Sequence, residues 1–186
     1  MSKSWKVVDE HYYEKFRIFS AKRSKRVNPR TGKSFDFFLM EGLDWVSIIP
    51  ITKDKEVVLV RQYRHGSESF TLETPGGTLE PEDISPQERA IIELKEETGY
   101  SIKRVEHLGT VHANPAMQSM RMHFFVGYDA EVVQEQELDP GEDITVIKRP
   151  LEEVLTSLGK GEYSHGLIVA GFGLYLRNHI TSQFGT

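Results

Sequence analysis

Three glutamates stand close together in this chain, Glu93, Glu96 and Glu97, within the run Glu93-Leu94-Lys95-Glu96-Glu97-Thr98-Gly99. On a helix, residues three and four apart are neighbours, so the three carboxylates share one side. Like charges at that spacing repel by about 0.2–0.5 kcal/mol per pair, and the C-terminal end of a helix already carries partial negative charge. A divalent cation reverses the sign of both effects. Hard cations such as Mg2+ take oxygen ligands and commonly combine a few carboxylates with substrate phosphates. Taken alone, the run also fits a solvated acidic face, and Lys95 suits that reading.

The element that must position these carboxylates is a short helix with readable ends. Ser85 suits the N-cap and Pro86 the first helical position, and Glu88 follows three residues after the cap, so Ser85-Pro86-Gln87-Glu88 reads as a capping box. Gly99 is the natural stop. Between them, residues 86–98 carry Ala90, Ile91 and Leu94 at helical spacing. Upstream lies Thr74-Pro75-Gly76-Gly77, whose glycines let backbone approach a metal or phosphate closely.

At 186 residues, 38% hydrophobic and 27% charged, the chain has the composition of an ordinary globular protein of one domain with a small appended element. A formal net charge of -5 argues against general nucleic-acid binding, which recruits a basic surface. No cysteine is present, so thiolate chemistry and disulfides are excluded. The first residues lack the apolar core of a signal peptide, and the longest apolar stretch, 166–176, is about half the roughly 20 residues of a membrane span. These features lead to the expectation of a cytoplasmic protein with no nucleic-acid or membrane partner. His65, His112, His123 and His165 show no metal-ligand spacing and are expected to be structural or surface residues. There is no Gly-x-Ser-x-Gly elbow for a serine nucleophile.

Strands are expected at 16–20 and 35–40 around the turn Asn28-Pro29-Arg30-Thr31-Gly32, then at 45–51, 56–63, 105–112, 122–128 and 144–148. Helices are expected from Pro150 to about Leu158 and from Gly166 to Asn178. Interleaved helices and mixed strands indicate an α/β or α+β sandwich. The cluster Lys22, Arg23, Lys25, Arg26, Arg30 and Lys33 reads as a solvated hairpin.

The stretch from Gly77 to Tyr100 resembles the signature of the Nudix hydrolase family: a glycine, a glutamate after five residues, then Arg-Glu-apolar-x-Glu-Glu-x-Gly-apolar after seven more. Gly77 and Glu93 to Tyr100 match it directly. The middle glutamate is best matched by Asp83, with Ile84 as one extra loop residue, and Ile92 replaces the family's arginine. That arginine helps hold the first glutamate of the helix, and Arg89, four residues before Glu93, is the candidate substitute.

The resemblance implies an α/β fold: a Nudix α/β/α sandwich with a mixed sheet and an N-terminal β-ribbon extension. Residues 1–43 would form the ribbon and serve homodimerisation, and residues 44–186 the catalytic domain. By the same resemblance, Glu93, Glu96 and Glu97, with the Gly76 carbonyl, hold Mg2+ or Mn2+, and Glu97 and Glu142 are catalytic. Glu142, in the loop Asp139-Pro140-Gly141-Glu142-Asp143, aligns with a loop glutamate that acts as general base or further metal ligand; Glu137 and Asp143 are nearby alternatives.

The run from Val57 to Arg64, followed by Leu72 to Gly77, is similar to the strand and loop entering the signature in ADP-ribose and nucleoside diphosphate sugar diphosphatases. Pro115, sixteen residues beyond Gly99, is similar in placement to a proline of the ADP-ribose group. Met120 departs from the glutamate that relatives frequently carry. Arg64 presents paired donors suited to a substrate phosphate, with Glu73 as its salt-bridge partner or orienting group. The implied activity is metal-dependent cleavage of a nucleoside diphosphate sugar, such as ADP-ribose, to a nucleoside monophosphate and a sugar phosphate. The alternatives are another nucleoside diphosphate derivative (a dinucleoside polyphosphate, a capped or damaged nucleotide) or a nucleotide sensor without turnover.

Overall fold

A computed structural model describes residues 4–82 and 85–184. Asp83, matched to the middle glutamate of the signature, and Ile84 lie outside the described residues. The chain divides into two compact units.

One unit comprises the chain up to Asp44 together with His112–Arg121. Its strands β1 (Lys6–Lys15), β2 (Phe19–Val27) and β3 (Ser34–Gly42) form an antiparallel sheet in that order. A two-stranded ribbon with a strand at 16–20 was the expectation. Phe16 instead begins the turn from β1 to β2, its N–H donating to the Phe19 carbonyl at 2.8 Å. The missed strand, KVVDEHYYEK, lacks the alternation of a half-buried strand, and every residue in it is exposed. The predicted turn is present, with the Asn28 side chain accepting from the Arg30 N–H at 2.8 Å. Lys22, far from solvated, is buried between Glu41 at 2.7 Å and Glu10 at 3.2 Å. The 112–121 segment lies along β3: Met40 N–H donates to the Met117 carbonyl, and Ser119 N–H to that of Met40.

The other unit comprises Trp45–Val111 and the chain from Met122 on. Trp45 to Ile51 forms β4, and Glu56–Arg64 forms β5, as their β-branched composition predicts. A short edge strand β6 (Ser69–Glu73) follows, then α1 (Pro86–Thr98), β7 (Tyr100–Ser101), β8 (Arg104–His112), β9 (Arg121–Tyr128), β10 (Glu131–Val132) and β11 (Thr145–Pro150). The main sheet runs β11-β5-β4-β9-β8, with β6 on β5. It is mixed: β4 pairs parallel with β9 and antiparallel with β5.

Both faces of this sheet are covered. Ala90 and Leu94 of α1 pack with Val46, Ile48 and Phe125. The opposite cluster joins Leu59, Phe124 and Val126 to Val154 of α2 (Leu151–Ser157) and to Ile168, Phe172 and Tyr175 of α3 (Gly166–Phe184). The spacing of those three α3 residues makes one apolar stripe. A fully buried side chain such as Phe124 or Phe172 contributes about 1.5–3 kcal/mol. The resulting three layers hold α1 rigidly against β4. No helix among the described residues is long and apolar enough to cross a membrane.

Candidate active site

Helix α1 begins and ends where its sequence signals place it. Ser85 is the N-cap, its hydroxyl accepting from the Glu88 N–H at 3.2 Å, and Gly99 is the C-cap in the left-handed conformation at φ 72°. The reciprocal half of the capping box differs from expectation. The Glu88 carboxylate accepts from the Ser85 hydroxyl at 2.8 Å, a local bond between the two side chains.

The acidic side of α1 is not solvated. Glu93 is 6% exposed and Glu97 4%, while Glu96 and Lys95 face outward more. Two segments are bonded to α1 around the pair. The glycine loop is hydrogen-bonded along β4, with Val46 N–H donating to the Gly77 carbonyl at 2.9 Å and Ile48 N–H to that of Pro75 at 3.0 Å. Gly76 therefore sits so near β4 that a Cβ there would collide with the Val46 carbonyl. Its N–H donates to Glu97 Oε2 at 3.0 Å, and a Cβ on Gly77 would overlap Glu93 Oε1. Each glycine thus faces one buried carboxylate.

The second segment, 133–137, closes the C-terminal end of α1. Val133 N–H donates to the Gly99 carbonyl, Glu137 N–H to that of Glu96 at 2.8 Å, and the Gln136 amide to that of Glu97 at 2.6 Å. These bonds satisfy carbonyls that a helix end leaves without intrahelical partners. They also tie down the stem of the loop that carries Glu142. That loop is exposed and internally bonded, Asp139 N–H donating to the Glu142 carboxylate at 2.9 Å. The negative charge of Glu142 reaches both Glu93 and Glu97.

Burial sets the electrostatics. It is the largest cause raising the Glu97 carboxyl from 4.5 to about 9, reinforced by the charges of Glu93 and Glu142 and opposed by the Gly76 N–H. Burial also raises Glu93, opposed by Arg89. Arg89 donates to Glu93 Oε1 through Nε at 2.9 Å and Nη2 at 2.6 Å, and lies 3.9 Å from Glu96. The helical spacing that nominated Arg89 does bring it onto Glu93. Ile92, where the signature has arginine, is 42% exposed.

Arg64 and Glu73 form a forked pair on neighbouring strands, Nε to Oε1 and Nη2 to Oε2, both at 2.6 Å. Glu73 is 3% exposed, yet its carboxyl is held below the ordinary value because the Arg64 fork outweighs desolvation. Arg64 and Glu97 also sense each other's charge. The sequence did not single out Thr71, which donates to Glu73 Oε1 at 2.5 Å, or Gln136. Their signal is positional: one is a hydroxyl two residues along a strand, the other a polar residue past a helix stop. Pro115 belongs to the first unit, where it is exposed and lines a hollow of about 620 Å³ with Trp5, Arg26, Phe37, Met40 and Met117. Met120 is buried there at 4% exposure.

Among the described residues, no three His, Asp or Glu side chains converge as a cation cage. What the chain offers is a buried carboxylate pair, each raised above the ordinary value by burial, with Arg89 on Glu93 and the Gly76 N–H on Glu97. That donor set suits a hard divalent cation completed by backbone, water or substrate oxygens.

The NUDIX domain model matches residues 44–170, and the chain belongs to the Nudix family of hydrolases. Its relatives include an ADP-ribose pyrophosphatase of Bacillus subtilis, 28% identical over 81% of this chain and 83% of that protein. An ADP-sugar pyrophosphatase of Mus musculus is 31% identical over 86% of this chain and 75% of that protein. The crystal structure of an ADP compounds hydrolase superposes with a TM-score of 0.82 at 23% identity, covering 100% of this chain and 98% of that one, and shows the shared fold. Members of the family need a divalent metal ion.

Proposed function

We propose that the protein hydrolyses the diphosphate linkage of ADP-ribose or another nucleoside diphosphate sugar, releasing a nucleoside monophosphate and a sugar phosphate, with Mg2+ or Mn2+ as the metal. The observation that carries this reading is the buried pair Glu93 and Glu97, faced by Gly77 and Gly76. The names of the relatives support the substrate class.

A diphosphate resists attack because its anionic oxygens repel a nucleophile. A divalent cation supplies charge neutralisation and a more acidic water. Glu93, Glu96 and Glu97, with the Gly76 carbonyl, would hold it, and Glu142 would join them or collect the proton of the attacking water as general base. Arg89 steadies Glu93 in place of the arginine lost at 92. Arg64 offers its guanidinium to a substrate phosphate while Glu73 orients it. Pro115 is the remaining proposed substrate contact, supported by its spacing from Gly99.

The first unit supports homodimerisation. Trp5, Tyr12, Tyr13, Phe16, Phe35 and Phe38 are all exposed there, a concentration of apolar surface suited to a second copy. A cytoplasmic setting goes with nucleotide sugars as substrates. The test is incubation with Mg2+ and a panel of ADP-ribose, GDP-mannose, UDP-glucose, diadenosine polyphosphates and nucleoside triphosphates, reading phosphate released by added phosphatase. Turnover of ADP-ribose or a nucleotide sugar is expected; preference for triphosphates, or no turnover at all, overturns the assignment. In the same assay Glu142→Gln is expected to lower kcat by about a hundredfold with KM retained. A near-normal rate would move the base to Glu137 or Asp143.

A further inference from the structure

The Arg64 guanidinium is useful to a phosphate only if its free donors point in a fixed direction. Glu73 fixes one edge of it through the fork, but a carboxylate can itself swing about the bond that carries it. Two further residues restrain that swing. Thr71 shares a face of β6 with Glu73, since residues two apart on a strand point the same way, and it donates to Oε1 at 2.5 Å. His165, in the segment between α2 and α3, borders the other oxygen, with Nε2 3.8 Å from Oε2, within ion-pair distance and beyond hydrogen-bond length.

Each carboxylate oxygen therefore carries one arm of the arginine fork and one lateral neighbour. The carboxylate has lone-pair sites enough for the three hydrogen bonds, and His165 adds a polar neighbour.

Both lateral residues are costly choices for a purely structural role. Thr71 is 5% exposed, at a place on the edge strand where valine would fill the same space without a hydroxyl to satisfy. His165 accepts the first α3 bond from the Val169 N–H at 3.1 Å, which makes it the N-cap. Serine, threonine, aspartate and asparagine are favoured there. Its Nδ1 is buried with no hydrogen-bonding partner, so Nε2 is the only ring nitrogen that meets a polar group here. The same segment braces the strand next door: Glu162 takes a fork from Arg61 at 2.7–3.1 Å.

We propose that Thr71 and His165 are positioning residues for Arg64, acting through Glu73 to set the guanidinium that receives a substrate phosphate. The inference rests on the phosphate-binding role given to Arg64 above. It extends the substrate machinery to a segment far from the signature helix in sequence.

The test is steady-state kinetics of the full chain with ADP-ribose and Mg2+. Thr71→Val is expected to raise KM about fivefold with kcat within about twofold, the size of one lost buried hydrogen bond. Thr71→Ser should restore it. His165→Ala should raise KM about twofold to threefold, the size of a weak ion-pair contact, and His165→Gln, which keeps a polar N–H beside Oε2, should recover part of that loss. In an Arg64→Ala background, neither change should raise KM further, because the group they position is gone.

Additive effects in that background, or a fall in kcat at unchanged KM, overturn the inference. So does a wild-type KM in the Arg64→Ala protein, which would remove Arg64 from phosphate binding. Failure of the unaltered protein to turn over ADP-ribose would strike the functional reading instead, and is seen before any variant is made. If Thr71→Val lowers Tm sharply, the Thr71→Ser and His165 variants still decide the question.

Discussion

Two places in the unit that contains α1 bury glutamate to almost the same degree and reach opposite electrostatic results. Glu73, on β6, is 3% exposed and its carboxyl is held below the ordinary range. Glu97, on α1, is 4% exposed and its carboxyl is raised to about 9. Desolvation is the largest single influence on both, so burial cannot be what separates them. The difference lies in counter-charge. Glu73 has a guanidinium forked onto it at 2.6 Å, whereas Glu97 has one backbone N–H, two acidic neighbours and only the more distant charge of that same Arg64. One carboxylate has its cation built into the chain. The other lacks one, which is what the proposed metal role of Glu97 requires.

The sharpest way to break this contrast is to remove the charge at each place in turn. Glu97→Gln is expected to lower turnover by more than about a hundredfold. The same change should raise Tm in chelator at pH 8 by about 2–4 °C, because a buried group that must ionise or hold a proton is gone. Glu73→Gln should instead lower Tm by about 3–6 °C, since it leaves Arg64 without its partner. If both substitutions move Tm in the same direction, the contrast is wrong.

Glu93 stands between the two cases, buried but partly neutralised by Arg89. Arg89→Ala is expected to weaken divalent-cation binding about tenfold, as loss of a residue that orients a ligand does. Calorimetric titration with Mn2+ reads this directly. Unchanged affinity and turnover would show that Glu93 needs no brace.

The most gradual effect is a pH trend. For Glu97 the folded-state value lies above the unfolded one, so its contribution to stability is fully present below about 4.5 and is lost as pH rises toward 9. In chelator, Tm should therefore drift down across that window. The Tm gain on adding Mg2+ should grow across it, because the cation displaces a proton less and less often. A gain independent of pH would mean that Glu97 is not where the cation binds.

How much of this was legible in the sequence depended on whether the signal was local. The ends of α1 were readable because Ser85, Pro86 and Gly99 act on the backbone beside them. Arg89 was readable because a helical interval fixes its reach. The strand β1 was not, because its residues are exposed and carry no pattern a core would impose. The edge strand β6 was hidden for a related reason: its pairing with β5 is decided by the neighbouring strand. The burial of Glu93 and Glu97 was invisible as well. The glycine loop, distant in sequence, lies against both carboxylates, while the 133–137 segment closes the helix end beside them. His165 was read as structural or surface because no motif contains it, and only the packing of the segment before α3 against β6 brings it to Glu73.

Gly77 bears on which variants of this chain can persist. The first carbon of any side chain at that position would start inside the Glu93 carboxylate, so even alanine displaces a proposed ligand. Any substitution there moves the end of the Glu93 side chain at the first step, without the graded series of milder changes available at Arg89 or Thr71. If Glu93 holds the metal as proposed, a Gly77→Ala protein keeps its core and loses its chemistry, which makes that codon a compact place to separate folding from activity in a living cell.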